Sequence, residues 1–405
     1  MNILFLGSLF TVNNEKIIVN NSKKNIDNAS NTLQWNFVRG IQENIDGIFS
    51  IISAPLIGSY PFLYKKLFVV REEFKHSADS NDVSVGFCNL AVFKNWFIKK
   101  ELFRNLERWA TQKSDETRII VVYGMIAPWI LSAIKIKERY PNIRLCLIVP
   151  DLPEFMSNST SFIYKIRNLF QVDLYKYISV FDSFVFLTDE MTKHFGINNK
   201  PWVRIEGMIN PDEINVIPDF EKMDNVNVVM YSGTLAERYG ILNLLNAFQS
   251  IEESNYELWI CGAGNTQDFI QAQSKIDTRI KFFGLLPREK VLELQRKATV
   301  LVNPRSSDGE YTKYSFPSKI VEYLLSGTPC IMSPLPGIPQ EYYKFIFLVV
   351  ENDALALKKR IVEICNLDNK KLLYFGMSAR NFVITEKNYK KQTEKMINMF
   401  KLFYL

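Results

Sequence analysis

Apolar residues fall along the chain in two alternating kinds of run. Short, nearly continuous runs occupy residues 2–7 (NILFLG), 118–123 (RIIVVY), 144–149 (RLCLIV), 183–188, 226–232 (VNVVMYS), 256–262, 280–284 and 299–303. Bounded by glycine, proline or polar residues, they predict strands buried on both faces of a parallel sheet. Between them, apolar residues recur at helical spacing. This predicts helices at 31–44, with Leu33, Trp35, Phe37, Val38 and Ile41 as candidate core, and at 93–113, 128–140, 161–180, 240–250, 266–273, 287–297, 317–325 and 369–401. Shorter strands are expected at 46–53, within 66–92, at 203–207 and from residue 329. Residues 11–30, rich in Asn and Lys, read as a mobile loop, and residues 208–225 (MINPDEINVIPDFEKMDN) as a linker. The alternation restarts after that linker, so the pattern predicts an α/β chain of two successive doubly wound units.

Composition narrows the class. A chain of 405 residues suits two or three domains, and 47% hydrophobic with 23% charged residues is ordinary for a globular protein. The net charge of +6 comes without the dense Lys/Arg clusters of a nucleic-acid binder, so no nucleic-acid partner is expected. Five scattered cysteines (Cys88, Cys146, Cys261, Cys330, Cys365) form no C-x-x-C pair and read as buried free thiols. The two histidines, His76 and His194, argue against a histidine metal site. Neither an export signal nor an apolar run of about 18 residues is visible. The expected location is the cytoplasm, free or peripheral on the inner face of the membrane. The stretch 93–113 (FKNWFIKKELFRNLERWATQK) mixes basic and aromatic residues. It reads either as a crossover helix with a solvated charged face or as a face resting on an anionic membrane.

Candidate chemistry concentrates in residues 303–342. A strand is followed by a polar loop, then a helix opening near Pro317, with Gly327 after its end. Ligands of such units bind at the carboxyl ends of strands, near helix N-termini. Lys319 and Glu322, one turn apart, can hold a phosphate and a ribose hydroxyl there, or can be an i,i+3 surface pair. Upstream, Gly233, Thr234, Arg238 and Gly240 (GTLAERYG) lie between a strand and a helix, and Gly262 and Gly264 end another strand. Small residues there admit a ligand close to the backbone, and Arg238 can add charge-assisted hydrogen bonds. Gln267 stands where a dinucleotide fingerprint needs its third glycine, which argues against that fingerprint. Gly7 ends the first strand in a similar way. Arg305, Asn31 and Gln34 are weaker candidates, equally suited to surface roles.

The order strand–GTL–R–x–G–helix, strand–CGAG, strand–FGLLP–helix, strand–NP, then FPSKIVEYLLSGTPCI resembles the second domain of GT-B-fold glycosyltransferases. The branch is the retaining, nucleotide-sugar-dependent group 1, in its F-P-S-K-x-x-E-Y variant. The likeness is strong over 226–345 and weaker in the first half, through LTDEMTKHF and VRIEGMIN. It implies two Rossmann-like domains facing a central cleft. Their expected bounds are 1–208, on the acceptor side, and 209–384, with a helix at about 385–405 crossing back to the first. It implies a hexosyltransferase moving a sugar from a nucleotide-diphosphate sugar, UDP-sugar the expected donor, to a lipid-linked saccharide, with no cofactor and no metal. Glu322 matches the family's ribose-binding Glu, while Tyr314 stands where the family has another Glu. Arg238 matches the cation holding the diphosphate, Tyr239 replaces a Lys, and Lys319 is inferred to supply the missing charge. Ser315, Phe316 and Ser318 are expected beside the sugar and phosphate, Phe316 through its backbone. Asp151, in VPDLP, stands near the family's first-domain His or Asp, or is a turn cap. Two other readings stay open: a nucleotide-sugar epimerase of the same fold, and a non-catalytic nucleotide-sugar-binding subunit.

Overall fold

The computed structural model describes all residues except 24, 25, 27, 113–115, 153–172, 198, 214–224 and 352. Most of the helix expected at 161–180 and most of the linker at 208–225 fall among the excluded residues; the described end of that helix is a 3-10 turn, Tyr175–Val180. Contacts divide the chain into two units, Met1–Met208 with Tyr389–Leu405, and Ile209–Asn388.

The first unit is built on an eight-stranded sheet of order β10-β9-β8-β7-β1-β2-β5-β4. These strands are β1 (Asn2–Gly7), β2 (Phe49–Ser53), β4 (Glu72–Phe74), β5 (Asp82–Ser84), β7 (Arg118–Tyr123), β8 (Arg144–Val149), β9 (Ser183–Phe186) and β10 (Trp202–Arg204); β3 (Phe68–Val69) and β6 (Phe87–Cys88) pair separately. All pairings in the large sheet are parallel except β4 with β5. Every residue of β1 is buried, as its unbroken apolar run requires.

Helices α1 (Val12–Asn21), α2 (Asn28–Asn44), α3 (Lys94–Ala110), α4 (Ala127–Arg139) and α5 (Glu190–Phe195) belong to this unit. α1 corrects the expected loop at 11–30. The Thr11 hydroxyl caps the helix by accepting from Asn14 N, and Glu72 accepts from the side chains of Thr11, Asn13 and Asn14. In α2, Gln34 and Asn36 are buried while Leu33 and Trp35 are half-buried. Gln34 Oε1 accepts from Ser8 N at 2.7 Å, and Asn36 Nδ2 donates to Met208 O at 3.2 Å. Strand-end contacts, rather than hydrophobicity, set that face. α3 buries Ile98, Leu102, Leu106 and Trp109, leaving Phe93 and Trp96 at its start exposed.

The second unit has a six-stranded parallel sheet of order β13-β12-β11-β14-β15-β16. Its strands are β11 (Asn227–Ser232), β12 (Tyr256–Cys261), β13 (Ile280–Gly284), β14 (Val300–Asn303), β15 (Cys330–Met332) and β16 (Phe347–Leu348). The helices are α6 (Ile241–Gln249), α7 (Gln267–Ile276), α8 (Arg288–Lys297), α9 (Lys319–Ser326), α10 (Ala354–Cys365) and α11 (Asn369–Glu386). α6 packs on α10, and α9 on α8 and α11. α10 was not foreseen. The single helix expected at 369–401 breaks between Glu386 and Tyr389, giving α12 (Tyr389–Tyr404) to the first unit. There Gly40 of α2 admits close packing: an added Cβ would lie 2.2 Å from Thr393 Oγ1.

Candidate functional site

The second unit's sheet starts at β11, builds outward through β12 and β13, then returns to β14 on the other side. That reversal makes the carboxyl ends of β11 and β14 a topological switch point, where ligands of such folds bind. Three loops meet there backbone to backbone. Gly262 has φ +142°, and a Cβ on it would lie 1.8 Å from Gly233 O. One on Gly264 would lie 2.0 Å from Leu235 O, and one on Gly240 would lie 1.9 Å from Pro304 O. Leu235 N donates to Ala263 O at 3.0 Å, locking the first two loops. The glycines predicted at this edge therefore serve loop against loop contact.

α9 enters at the same edge. It begins at Lys319, two residues later than expected, with Ser318 exposed before it and Gly327 in the left-handed region after it. Lys319 Nζ lies 2.9 Å from Glu322 Oε1, so the i,i+3 pair does form. It is more than surface decoration. Gln295, on α8 and fully buried, donates through Nε2 to Glu322 Oε1 at 2.7 Å and to Ser232 Oγ at 2.9 Å. Ser232 N in turn donates to the Tyr323 hydroxyl at 2.9 Å, and that hydroxyl donates to Ser232 O at 3.0 Å. Burial raises the Tyr323 pKa far above the usual tyrosine value, so it stays a neutral donor. Burial likewise pushes Cys261, at the end of β12, up to about 11, while the positive Lys319 opposes that rise. The Lys319 ammonium thus sits over the strand ends, with the carboxylate of Glu322 held beside it.

A second cationic cluster forms on the β14 side. Arg305 is 7% exposed, not the surface residue its loop position allowed. Its guanidinium lies 4.4 Å from the Tyr311 ring centroid and 5.6 Å from that of Tyr239. Its Nη2 donates to Ser315 Oγ at 2.7 Å, and its buried Nε has no protein partner among the described residues. Arg238 is exposed; its guanidinium lies 4.7 Å from the Tyr239 ring centroid, and its Nη2 donates to the Tyr239 hydroxyl at 2.8 Å. Tyr311 OH donates to Arg238 O at 2.9 Å. Tyrosine faces hold both guanidiniums by cation–π attraction, which fixes their charge without neutralising it.

The remaining predicted residues sort as follows. Gly233, Thr234, Arg238, Gly262, Gly264, Arg305, Tyr314, Ser315, Phe316, Ser318, Lys319 and Glu322 all lie on the loops and helix at this edge of the second unit. The Phe316 ring is buried against Tyr342, centroids 5.4 Å apart, so its side chain is core and only its backbone can serve a ligand. Tyr314 is half-buried and ends a short 3-10 turn, Glu310–Lys313. Gly7 and Asp151 belong to the first unit, at the carboxyl ends of β1 and β8; Asp151 is exposed. Gln295, Tyr311 and Tyr323 escaped the sequence reading, which noted Tyr239 only as standing in place of a Lys. The available signal was a glutamine in an otherwise apolar helical position, beside Leu294.

Residues 213–382 match the sequence model of the family described as glycosyl transferases group 1, a span that takes in most of the second unit. No curated protein matches by sequence. Solved structures match over the whole chain. Sucrose-phosphate synthase from Thermosynechococcus elongatus is 13% identical with a TM-score of 0.65, covering 100% of this chain and 99% of that one. Anabaena Alr3699/HepE in complex with UDP is 12% identical with a TM-score of 0.62, covering 100% of both chains. The lipopolysaccharide outer core galactosyltransferase WaaB is 14% identical with a TM-score of 0.60, covering 99% of both. The fold is that of the GT-B glycosyltransferases.

Proposed function

We propose that this chain, whose second unit carries the group 1 glycosyltransferase sequence, moves a sugar from a nucleotide-diphosphate sugar to a lipid-linked saccharide. In this reading the donor is a UDP-sugar, anomeric configuration is retained and no metal takes part. The product belongs to a capsule, exopolysaccharide or O-antigen, assembled at the cytoplasmic face of the membrane. The observation carrying the proposal is the Gln295–Glu322–Lys319 arrangement at the carboxyl edge of β11 and β12. A carboxylate pinned by a buried amide presents acceptor oxygens for ribose hydroxyls, and the ammonium beside it meets phosphate. Two similar structures lend support by their own descriptions: one is a complex with UDP, the other a galactosyltransferase of lipopolysaccharide core.

The chemistry follows from where charge collects. The bond between the anomeric carbon and the diphosphate oxygen breaks as a bond to an acceptor hydroxyl oxygen forms. A diphosphate oxygen takes the hydroxyl proton. Lys319, Arg238, Arg305 and the N-terminal amides of α9 stabilise the negative leaving group. Because they are fixed beforehand, no reorganisation is needed as charge develops. Asp151, at a strand end of the first unit, serves the acceptor side. Where the family has a second Glu, Tyr314 offers a hydroxyl, so donor-sugar contacts here differ from the family's.

The test is transfer from a panel of nucleotide sugars to a lipid-linked acceptor, read by product mass. Glu322→Ala and Lys319→Ala are each expected to lower transfer by at least about a hundredfold, the scale of charge-assisted contacts that act in the transition state, with the circular dichroism spectrum unchanged. Full activity in both would overturn these assignments. Donor altered in mass-neutral fashion, with no acceptor product, would favour the epimerase reading instead.

A further inference from the structure

The first unit carries a surface that sugar transfer does not explain. Helix α1 buries a single side chain, Ile18, and exposes Val12, Ile17 and Val19. In the segment after β2, Phe62 is 75% exposed; Phe68 and Val70, two apart in sequence, are also exposed. Leading into α3, Val92 is 83% exposed and Trp96 53% exposed. An apolar surface of this kind marks an interaction site.

These segments are stitched into one patch. Lys23 N donates to Leu63 O at 3.0 Å and Lys65 N to Asn21 O at 2.9 Å, tying the end of α1 to the segment after β2. Tyr60 N donates to Asn89 O at 2.9 Å and Asn89 N to Leu67 O at 2.7 Å, tying that segment to the one after β5. The buried Lys94 ammonium donates to Ile57 O, tying in the start of α3. Topology places all of them together, since β1, β2 and β5 run parallel and each segment leaves from a carboxyl end.

Charge decides among occupants. Residues 12–23, 54–70 and 85–100 contain a single acid, Glu15. They expose Lys16, Lys23, Lys65, Lys66, Lys99 and Lys100. Two copies of such a patch would repel each other. Aromatic rings amid lysines match a lipid interface: rings enter the headgroup layer, aliphatic lysine stems lie along them, and ammoniums meet anionic phosphates. We propose that the carboxyl edge of the first unit docks on an anionic lipid bilayer, seating Phe62, Phe68, Val92 and Trp96 among the headgroups. The purpose given to this docking, access to a lipid-linked acceptor, rests on the function proposed above; the docking itself does not. The surface differs from the amphipathic face read in 93–113: it takes in only the first turns of α3, while Arg104 and Arg108 are exposed further along the helix.

The experiment is co-sedimentation of the intact protein with vesicles of phosphatidylcholine alone or mixed with phosphatidylglycerol, with UDP affinity measured on the same preparations. Binding is expected to the mixed vesicles only, and to weaken as salt rises. It should fall at least about tenfold in Phe62→Ser/Phe68→Ser/Trp96→Ser and in Lys65→Glu/Lys66→Glu, in line with losing several buried side chains or charges at a bilayer. Both variants should keep the wild-type circular dichroism and UDP affinity. Equal sedimentation of wild type and both variants would overturn the proposal. So would the absence of vesicle binding, or a dimer that the variants abolish, which would assign the patch to a second copy. Glu322→Ala separates the two readings. If it keeps UDP affinity while vesicle binding still follows the patch, the donor-site assignment fails and the docking stands.

Discussion

Gln295 shows what one buried amide contributes at the residue scale. It bridges Ser232 on β11 to Glu322 on α9, so the carboxylate is aimed by a residue on a third element. Gln295→Met keeps the volume and removes both bonds. It should destabilise the protein by about 1–3 kcal/mol, the usual cost of stranding buried polar partners, and weaken UDP binding severalfold. Chemical denaturation and calorimetric titration measure the two. Arg305→Lys should also weaken UDP binding, by about tenfold. An ammonium cannot stack between Tyr239 and Tyr311 while holding Ser315, and one such charged contact amounts to about 1.5–3 kcal/mol. Unchanged affinity in Arg305→Lys would remove Arg305 from the site. Lys319 and Glu322 were legible in the sequence because their relation is local, one helical turn. Gln295, Tyr311 and Tyr323 were not, because their partners lie 27, 73 and 91 residues away. Phe316 was expected to meet the ligand through its backbone; its ring is buried against Tyr342, a partner the motif does not reveal.

At the scale of elements, legibility followed apolar patterning. The runs NILFLG, RIIVVY and RLCLIV became strands β1, β7 and β8 with the expected bounds. Failures came where other forces form the element. α1 has too few apolar residues to be read as a helix, and is held by its cap and by Glu72 of β4, about 60 residues away. Because one buried side chain anchors its apolar side, Ile18→Ala should free α1 selectively. Hydrogen exchange should rise across Val12–Asn21 with little change in β1. Protection that stays native there would contradict this picture. The loops of the second unit depend on glycine for a geometric reason. Gly262→Ala sets a carbon against Gly233 O in a left-handed backbone, and should lower the melting temperature by at least about 5 °C. Gly233→Ala, where the new carbon meets the Tyr231 hydroxyl at 3.0 Å, should cost less.

Across the whole molecule, the restart of the alternation near residue 226 signalled two units. The helix expected at about 385–405 to cross back corresponds to α12, which begins at Tyr389. Ile209 N donates to Lys387 O at 2.9 Å, so the outgoing and returning strands of chain run side by side, and α12 then packs on α2. The cysteines offer a global check on the packing. Burial raises Cys146 to about 12 and Cys261 to about 11, and Cys330 and Cys365 are also buried, while Cys88 is half-buried. A thiol reagent at pH 8 should label Cys88 first in the native protein, and all five after unfolding. Labelling of Cys146 or Cys261 at the rate of Cys88 would contradict that packing. The central claim is that the Glu322–Lys319 edge binds a nucleotide sugar and releases its sugar to an acceptor. The most direct measurement is product mass after incubating wild type and Glu322→Ala with nucleotide sugars and a lipid-linked acceptor. Wild type should give an acceptor heavier by one sugar, with nucleoside diphosphate released, and the variant at least about a hundredfold less. Equal product from both proteins would contradict it.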